Sequence, residues 1–437
     1  MSHPRLVLDI LIATWAGGGT VPPAAEAALR LRCRGHRVRL MAEAVDESEA
    51  LAASVEFRPW RRATSRRDRL PSSDPLRDWE AASDLEGFAR LRDRIMCGPA
   101  LAYAEDVLEE VARRPVDIIV SSEMLLGVMA ASEQARVPLA LLCPNISLFP
   151  LPGMPPMGMG LLPARSEAER LQQAEVATGF GRAMDEGLSA LNAARRKIGL
   201  DPLAGVAAQV ARAGRILLAT SPAFDFPLDR LPRDVRYVGP LLAEPSWAES
   251  RAGGAAEFPT APLVLVSFST TFQDQLGAVR AVVAALAGLP VHGLVTLGPA
   301  LAGEKIELAP NVTVVESASH GDVMRRASVV VTHGGHGTVL RALKHGLPLL
   351  CLPMGRDQHD NAARVVARGA GLCLDRRAAP SEIRTSLQCL LEEDSFRSAA
   401  SQIADGIASG RGTSDLVEEI EALAGEMRTC AKLETTY

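Results

Sequence analysis

Between residues 333 and 361 the chain spaces histidine, glycine, hydroxyl, carboxylate and amide groups so that they could hold a polyanion beside a polyol. The run His333–Gly334–Gly335–His336–Gly337–Thr338 has three glycines in four residues, so backbone N–H groups can approach a ligand with no Cβ in the way. Helical spacing resumes in Val339–Lys344, which places the glycine turn at a helix N-terminus, where unpaired N–H groups and the positive end of the dipole favour an anion. Two imidazoles and the Thr338 hydroxyl add side-chain donors, a set suited to a diphosphate. Asp357–Gln358 and Asn361 follow. A carboxylate beside an amide at the C-terminal end of a parallel strand suits the paired hydroxyls of a sugar.

These groups need a scaffold, and the flanking sequence supplies one. Val329–Thr332 is an apolar, β-branched run that reads as a buried parallel strand, and Leu347–Pro353 as a second, with Gly346 ending the helix between them. Upstream, Leu263–Phe268 predicts another strand, running into the hydroxyl-rich loop Ser267–Phe268–Ser269–Thr270–Thr271. A helix over 273–287 and strands over 293–297 and 312–315 lead to Ser317–Ala318–Ser319–His320. The N-terminal half repeats the plan with strands over 6–13, 37–41, 116–121 and 137–143. The turn Trp15–Pro23 and a helix over 24–33 lie between the first two. Strand, loop, helix and strand in about forty residues opens a doubly wound domain.

The run His333–Thr338, with Gly346–Leu347–Pro348 and Asp357–Gln358–His359–Asp360–Asn361–Ala362, resembles the donor-site signature of the UDP-glycosyltransferase superfamily, above all its bacterial antibiotic-tailoring branch. Gly17–Gly18–Gly19–Thr20–Val21–Pro22–Pro23 followed by Arg34–Gly35–His36 is similar to that superfamily's opening. The resemblance implies an α/β fold of two Rossmann-like domains facing a cleft (GT-B), with parallel sheets flanked by helices. It implies an inverting, metal-independent glycosyltransferase that moves a sugar, often a deoxysugar, from a dTDP- or UDP-donor to an apolar natural product. Ser269, Thr270 and Thr271 would then touch the diphosphate or sugar and His320 the nucleotide. His333, Gly335, His336, Gly337 and Thr338 would bind diphosphate, and Asp357, Gln358 and Asn361 the sugar side. No cofactor is expected beyond the nucleotide-sugar co-substrate.

The alignment also exposes a departure. The family's catalytic histidine falls on Thr20, whose hydroxyl cannot take up a proton near neutral pH. The aspartate that orients that histidine falls on Ser122, with Glu123 beside it. Glu123 is a substitute base if burial raises its pKa, or a solvated helix-cap neighbour if not. Loss of the dyad keeps a second reading open, a non-catalytic nucleotide-sugar-binding or auxiliary subunit. A nicotinamide enzyme using Gly17–Gly19 is disfavoured, because the regular glycine spacing and the ribose-binding acid are missing.

Composition narrows the remaining choices. At 437 residues and a net charge of −5, the chain accommodates two domains and carries no basic footprint for nucleic acid. It has no apolar run long enough to span a membrane and no leader-like start, and its seven scattered cysteines suit a reducing cytoplasm. Four of the eight histidines, His320, His333, His336 and His359, lie close together, yet nothing completes a zinc shell around them. The expected domains are 1–242 for the acceptor, a linker at 243–260, 261–410 for the donor, and a C-terminal helix within 411–437 that crosses back to the first domain. Residues 55–80 are arginine-rich and read as a solvated loop or a flap over the acceptor, with Trp60 as its apolar contact. Pro144–Pro163 is too rich in proline and glycine for a helix and too apolar for a linker, so it reads either as a loop lining the acceptor pocket through Met154 and Met157 or as a loop packed on the domain surface. A homodimer is allowed for.

Overall fold

A computed structural model of the chain describes residues 7–149, 151–249 and 261–434. Residues 250–260, most of the expected linker, and Pro150 lie outside them.

Two parallel sheets organise the protein. The first runs β3–β2–β1–β4–β5–β6–β7, from β1 (Asp9–Ala13), β2 (Arg37–Ala42), β3 (Glu56–Pro59), β4 (Ile118–Ser122), β5 (Leu139–Cys143), β6 (Arg215–Leu218) and β7 (Val235–Tyr237). The second runs β10–β9–β8–β11–β12–β13, from β8 (Leu263–Ser267), β9 (His292–Thr296), β10 (Val312–Val315), β11 (Ala327–Thr332), β12 (Leu349–Cys351) and β13 (Gly371–Cys373). Both faces of each sheet are covered by helices, so the strands are apolar without polar alternation. Successive residues still serve opposite cores. Leu11 and Ala13 pack with Met41, Ile119 and Leu126, whereas Ile10 and Ile12 pack with Leu31, Leu40 and Val120. In the second sheet Val264, Val266, Val329 and Val331 share one core, and Leu263, Leu265 and Val330 the other.

Strand order reverses between β1 and β4 in the first sheet and between β8 and β11 in the second. At such a reversal the connections leave in opposite directions and open a crevice beyond the strands' carboxyl ends. The register pairs Ala13 with Ser121, and Ser267 with Thr332, so each crevice begins at a defined residue.

The halves are joined at several levels. Helix Leu416–Glu434 packs Leu416, Val417, Ile420 and Leu423 into the first domain's core, and Arg34 reaches Glu421 at 3.2 Å. Phe224 is fully buried in the core of the second domain although it precedes the last strand of the first sheet. Next to it, Asp225 receives Arg364 Nε at 2.7 Å and the Tyr237 hydroxyl at 2.9 Å, with the Arg364 guanidinium 4.4 Å above the Phe226 ring.

One stretch differs from expectation and a second decides an open one. Residues 56–59 form the edge strand β3, and Trp60 is neither solvated nor at a pocket: it is 2% exposed. Its indole N–H donates to Thr14 O at 3.0 Å and its ring meets Tyr103 edge-on. Four of the arginines after it are ion-paired, Arg61 and Arg62 with Glu109, Arg66 with Glu43 and Arg69 with Asp46, and Asp106 accepts the backbone N–H groups of Arg61, Arg62 and Ala63. Residues 166–198 read as one or two helices with Gly179 and Gly181 as a possible break, and helix Glu167–Asp185, opened by a Ser166/Glu169 capping box, runs straight through both glycines.

The close helix packing in the first domain gives a test. A Cβ on Gly127 would lie 2.0 Å from Ala100 O, whereas one on Gly179, exposed on its helix, meets nothing within 4 Å. Gly127→Ala should therefore cost about 1–3 kcal/mol in denaturant unfolding and Gly179→Ala should stabilise by about 0.5–1 kcal/mol. Equal effects would contradict this packing.

Candidate active site

The second crevice is built around a glycine turn. After β11 the chain passes through Gly334, whose φ of +89° suits glycine, and a Cβ there would lie 3.0 Å from Gln358 O. Gly335 then begins helix His336–Lys344, and no side chain caps its first-turn N–H groups. Asn361 fixes the turn. Its side-chain N–H groups donate to Gly334 O at 3.0 Å and to Asp357 Oδ2 at 2.9 Å, and its oxygen lies 2.9 Å from His336 Nδ1. With the amide so oriented, His336 donates from Nδ1, which leaves Nε2 as a buried acceptor with no partner among the described residues.

Burial decides the charge of this crevice. His333 and His320 are both driven down to about 3 by burial, with Arg356 and Arg341 respectively adding to the shift. His336 is also lowered, chiefly by burial. All three rings are thus neutral near pH 7. His320 stands at the start of a short helix with Nε2 3.2 Å from Ser267 Oγ and 3.3 Å from Thr296 Oγ1. Gln358 is turned inward: its oxygen accepts the Met354 and Gly355 N–H groups and its amide donates to Gln273 at 2.9 Å.

The first crevice faces this one. Thr20 is 3% exposed, and its hydroxyl donates to Trp15 O and accepts from Gly17 N at 3.2 Å. The oxygen is spent on closing its own turn. A small cavity lies beside it, lined by Thr14, Thr20, Ser121, Ser122 and Pro144. Glu123 is 2% exposed and accepts from Ser147 Oγ at 2.9 Å and Leu148 N at 3.1 Å. It is no solvated cap neighbour. Burial pushes it up to about 7, against those hydrogen bonds and with some help from the charge of Asp357 across the cleft.

Three contacts bring the crevices together. Gly18 lies against Thr270 and Thr271, each 3.3 Å from the position of its absent Cβ. Asp360 accepts from Gly158 N at 2.6 Å and Gly160 N at 3.0 Å, anchoring the Pro/Met-rich loop on the donor side. Arg356 spans to Asp78 at 2.6 and 3.0 Å, while Trp79 meets Phe272 edge-on at 5.2 Å. Among the described residues, no group of three or more His, Cys, Asp or Glu side chains could hold a metal ion.

Comparison with known proteins agrees with this geometry. Residues 280–423 match the family described as erythromycin biosynthesis protein CIII-like, C-terminal domain. The chain is 29% identical over 429 residues to 4'-demethylrebeccamycin synthase of Lentzea aerocolonigenes, covering 95% of this chain and 99% of that protein. It is 35% identical over 174 residues to elloramycin glycosyltransferase ElmGT of Streptomyces olivaceus, covering 38% and 43% of the two chains. The solved kitacinnamycin glycosyltransferase superposes with a TM-score of 0.74 at 20% identity, over 95% of this chain and 99% of that one. The chain is a glycosyltransferase of the natural-product type.

In this GT-B glycosyltransferase the candidate donor residues Ser269, Thr270, Thr271, His320, His333, Gly335, His336, Gly337, Thr338, Asp357 and Asn361 all lie on loops or helix starts at the carboxyl edge of the second sheet. Gln358 is there too, although its side-chain oxygen already accepts from the backbone N–H groups of Met354 and Gly355. Of the acceptor candidates, Met157 packs on the first domain's core and Met154 is partly exposed, while Trp60 is inaccessible. Four polar residues at the cleft escaped sequence reasoning: Asp78, Gln273, Arg356 and Asp360. Only Asp360 lay inside the recognised signature.

The neutral histidines make stability depend on pH. Their folded pKa values lie below the unfolded value of about 6.5, so their contribution is complete above that pH and is lost as pH falls toward 3. The raised carboxylates Glu123 and Asp360 act with the opposite slope, so a variant must be compared with the parent. Between pH 7 and pH 5, His333→Gln should lose less stability than the parent, by up to about 2 kcal/mol in denaturant titrations. Parallel pH profiles would contradict a buried neutral imidazole.

Proposed function

We propose that this glycosyltransferase transfers a sugar, with inversion and without a metal, from a uridine or thymidine diphosphate donor to a hydroxyl of an apolar natural product. The observation that carries the reading is the placement of the two crevices. A glycine turn at a helix N-terminus and a neutral polar network lie at one, and Glu123, a carboxylate that burial pushes up to about 7, lies just beneath the other. Diphosphate at the helix beginning with His336 would present the anomeric carbon toward the first domain. There its far face meets an acceptor held beside loop 144–163.

Glu123 is the group assigned to take the acceptor's proton. Thr20 is excluded from that role by its chemistry and by its engagement with Trp15 O. A base works best with a pKa near the operating pH, and burial brings Glu123 there. For an acceptor to reach it, the Ser147–Leu148 turn that now caps it must shift.

The test uses the full chain with dTDP- and UDP-sugars and a panel of apolar aglycones. Glu123→Gln should lower kcat by about 10²–10⁴-fold and leave nucleoside diphosphate affinity unchanged. The parent rate should rise with pH through about 7 as the carboxylate ionises, and the variant should lose that limb. Undiminished turnover in Glu123→Gln would remove it as the base and leave the acceptor's own acidity to drive transfer.

A further inference from the structure

We propose that Arg356 is the cation that neutralises the departing diphosphate, and that Asp78 holds its place on the guanidinium until the donor arrives. This rests on the donor-site reading above and adds to it the source of positive charge. A nucleoside diphosphate leaves as a polyanion, and preorganised charge aimed at it is usually a large contribution to catalysis. The histidines of the crevice cannot supply that charge, because burial keeps them neutral. The neighbouring arginines are engaged elsewhere: Arg341 binds Leu242 O and Ala243 O, and Arg364 binds Asp225.

Arg356 is placed differently. It immediately precedes Asp357, and its Nη1 donates to Thr271 Oγ1 at 3.0 Å, on the hydroxyl loop that faces Gly18. It adopts φ +57°, a left-handed conformation that costs an L-residue energy and recurs where function fixes the backbone. The remaining guanidinium edge is taken by Asp78, with Nε at 2.6 Å and Nη2 at 3.0 Å from its two oxygens. This fork-on-carboxylate geometry is the one an arginine offers equally to a phosphate. Burial works against both charges, yet pairing outweighs it, so Arg356 stays cationic and Asp78 anionic.

Asp78 belongs to the first domain, on the segment whose Trp79 rests on Phe272. A diphosphate arriving between the Thr271 hydroxyl and the helix N-terminus would compete for the same two N–H groups. Asp78, left facing a dianion, would withdraw and carry its segment off the cleft. The ion pair is then both a stand-in for the leaving group and a latch released by it.

Calorimetric titration of the full-length protein with dTDP and UDP, and with thymidine and uridine as probes lacking the diphosphate, distinguishes the roles. Arg356→Gln should weaken diphosphate binding about ten-fold or more and leave nucleoside binding unchanged, with Arg356→Lys in between. Asp78→Asn should bind the diphosphates as tightly as the parent or more tightly, because a competitor has been removed. Equal weakening in Arg356→Gln and Asp78→Asn would make the pair a structural latch alone, and parental affinity in Arg356→Gln would remove the cation from the site. A parent protein that binds neither diphosphate would overturn the donor-site reading itself.

Discussion

The carboxamide of Asn361 ties three pieces of the second domain into one site. It holds the carbonyl of the glycine turn, the carboxylate of Asp357 and the ring of His336 at once, from a position with no solvent exposure. Gly334 and His336 are buried, and leaving either polar group without its partner costs about 1–3 kcal/mol. The turn cannot rotate without breaking the Gly334 bond, so the helix N-terminus behind it stays aimed at the cleft. What the crevice can bind follows from that constraint: N–H groups fixed in advance need no reorganisation when an anion arrives.

Water exclusion extends the same logic across the cleft. The histidines lose their charge and Glu123 gains a pKa near neutrality for one reason, removal from solvent. Several long-range contacts keep the two halves close enough for this. Asp360 grips the glycines of loop 144–163, Gly18 lies against the threonines of the second domain, and the 221–226 segment is buried at the seam.

The sheets were readable because buried parallel strands are continuous apolar runs, and Val312–Val315 was placed to the residue. The glycine turn was readable because its composition allows little else. What stayed hidden depends on partners far along the chain. The arginines after Trp60 look solvated in sequence, yet Asp106 gathers their backbone from more than forty residues away, which drives Trp60 into the core. Arg356 and Asp78 are separated by 278 residues and leave no periodic trace. Glycine is a poor helix former, so Gly179 and Gly181 allowed one helix or two, and the structure carries a single capped helix through both. Glu123 was legible as a residue and not as a state, since its pKa comes from the turn at Ser147–Leu148 that folds over it.

A crystal structure of the protein grown with dTDP or UDP tests the central claim most directly. The account predicts the diphosphate within hydrogen-bonding distance of the backbone N–H groups at residues 335–338, with the Asn361 bonds intact. A nucleotide seated instead at the Gly17–Thr20 turn of the first domain, with the second crevice unfilled, would contradict it.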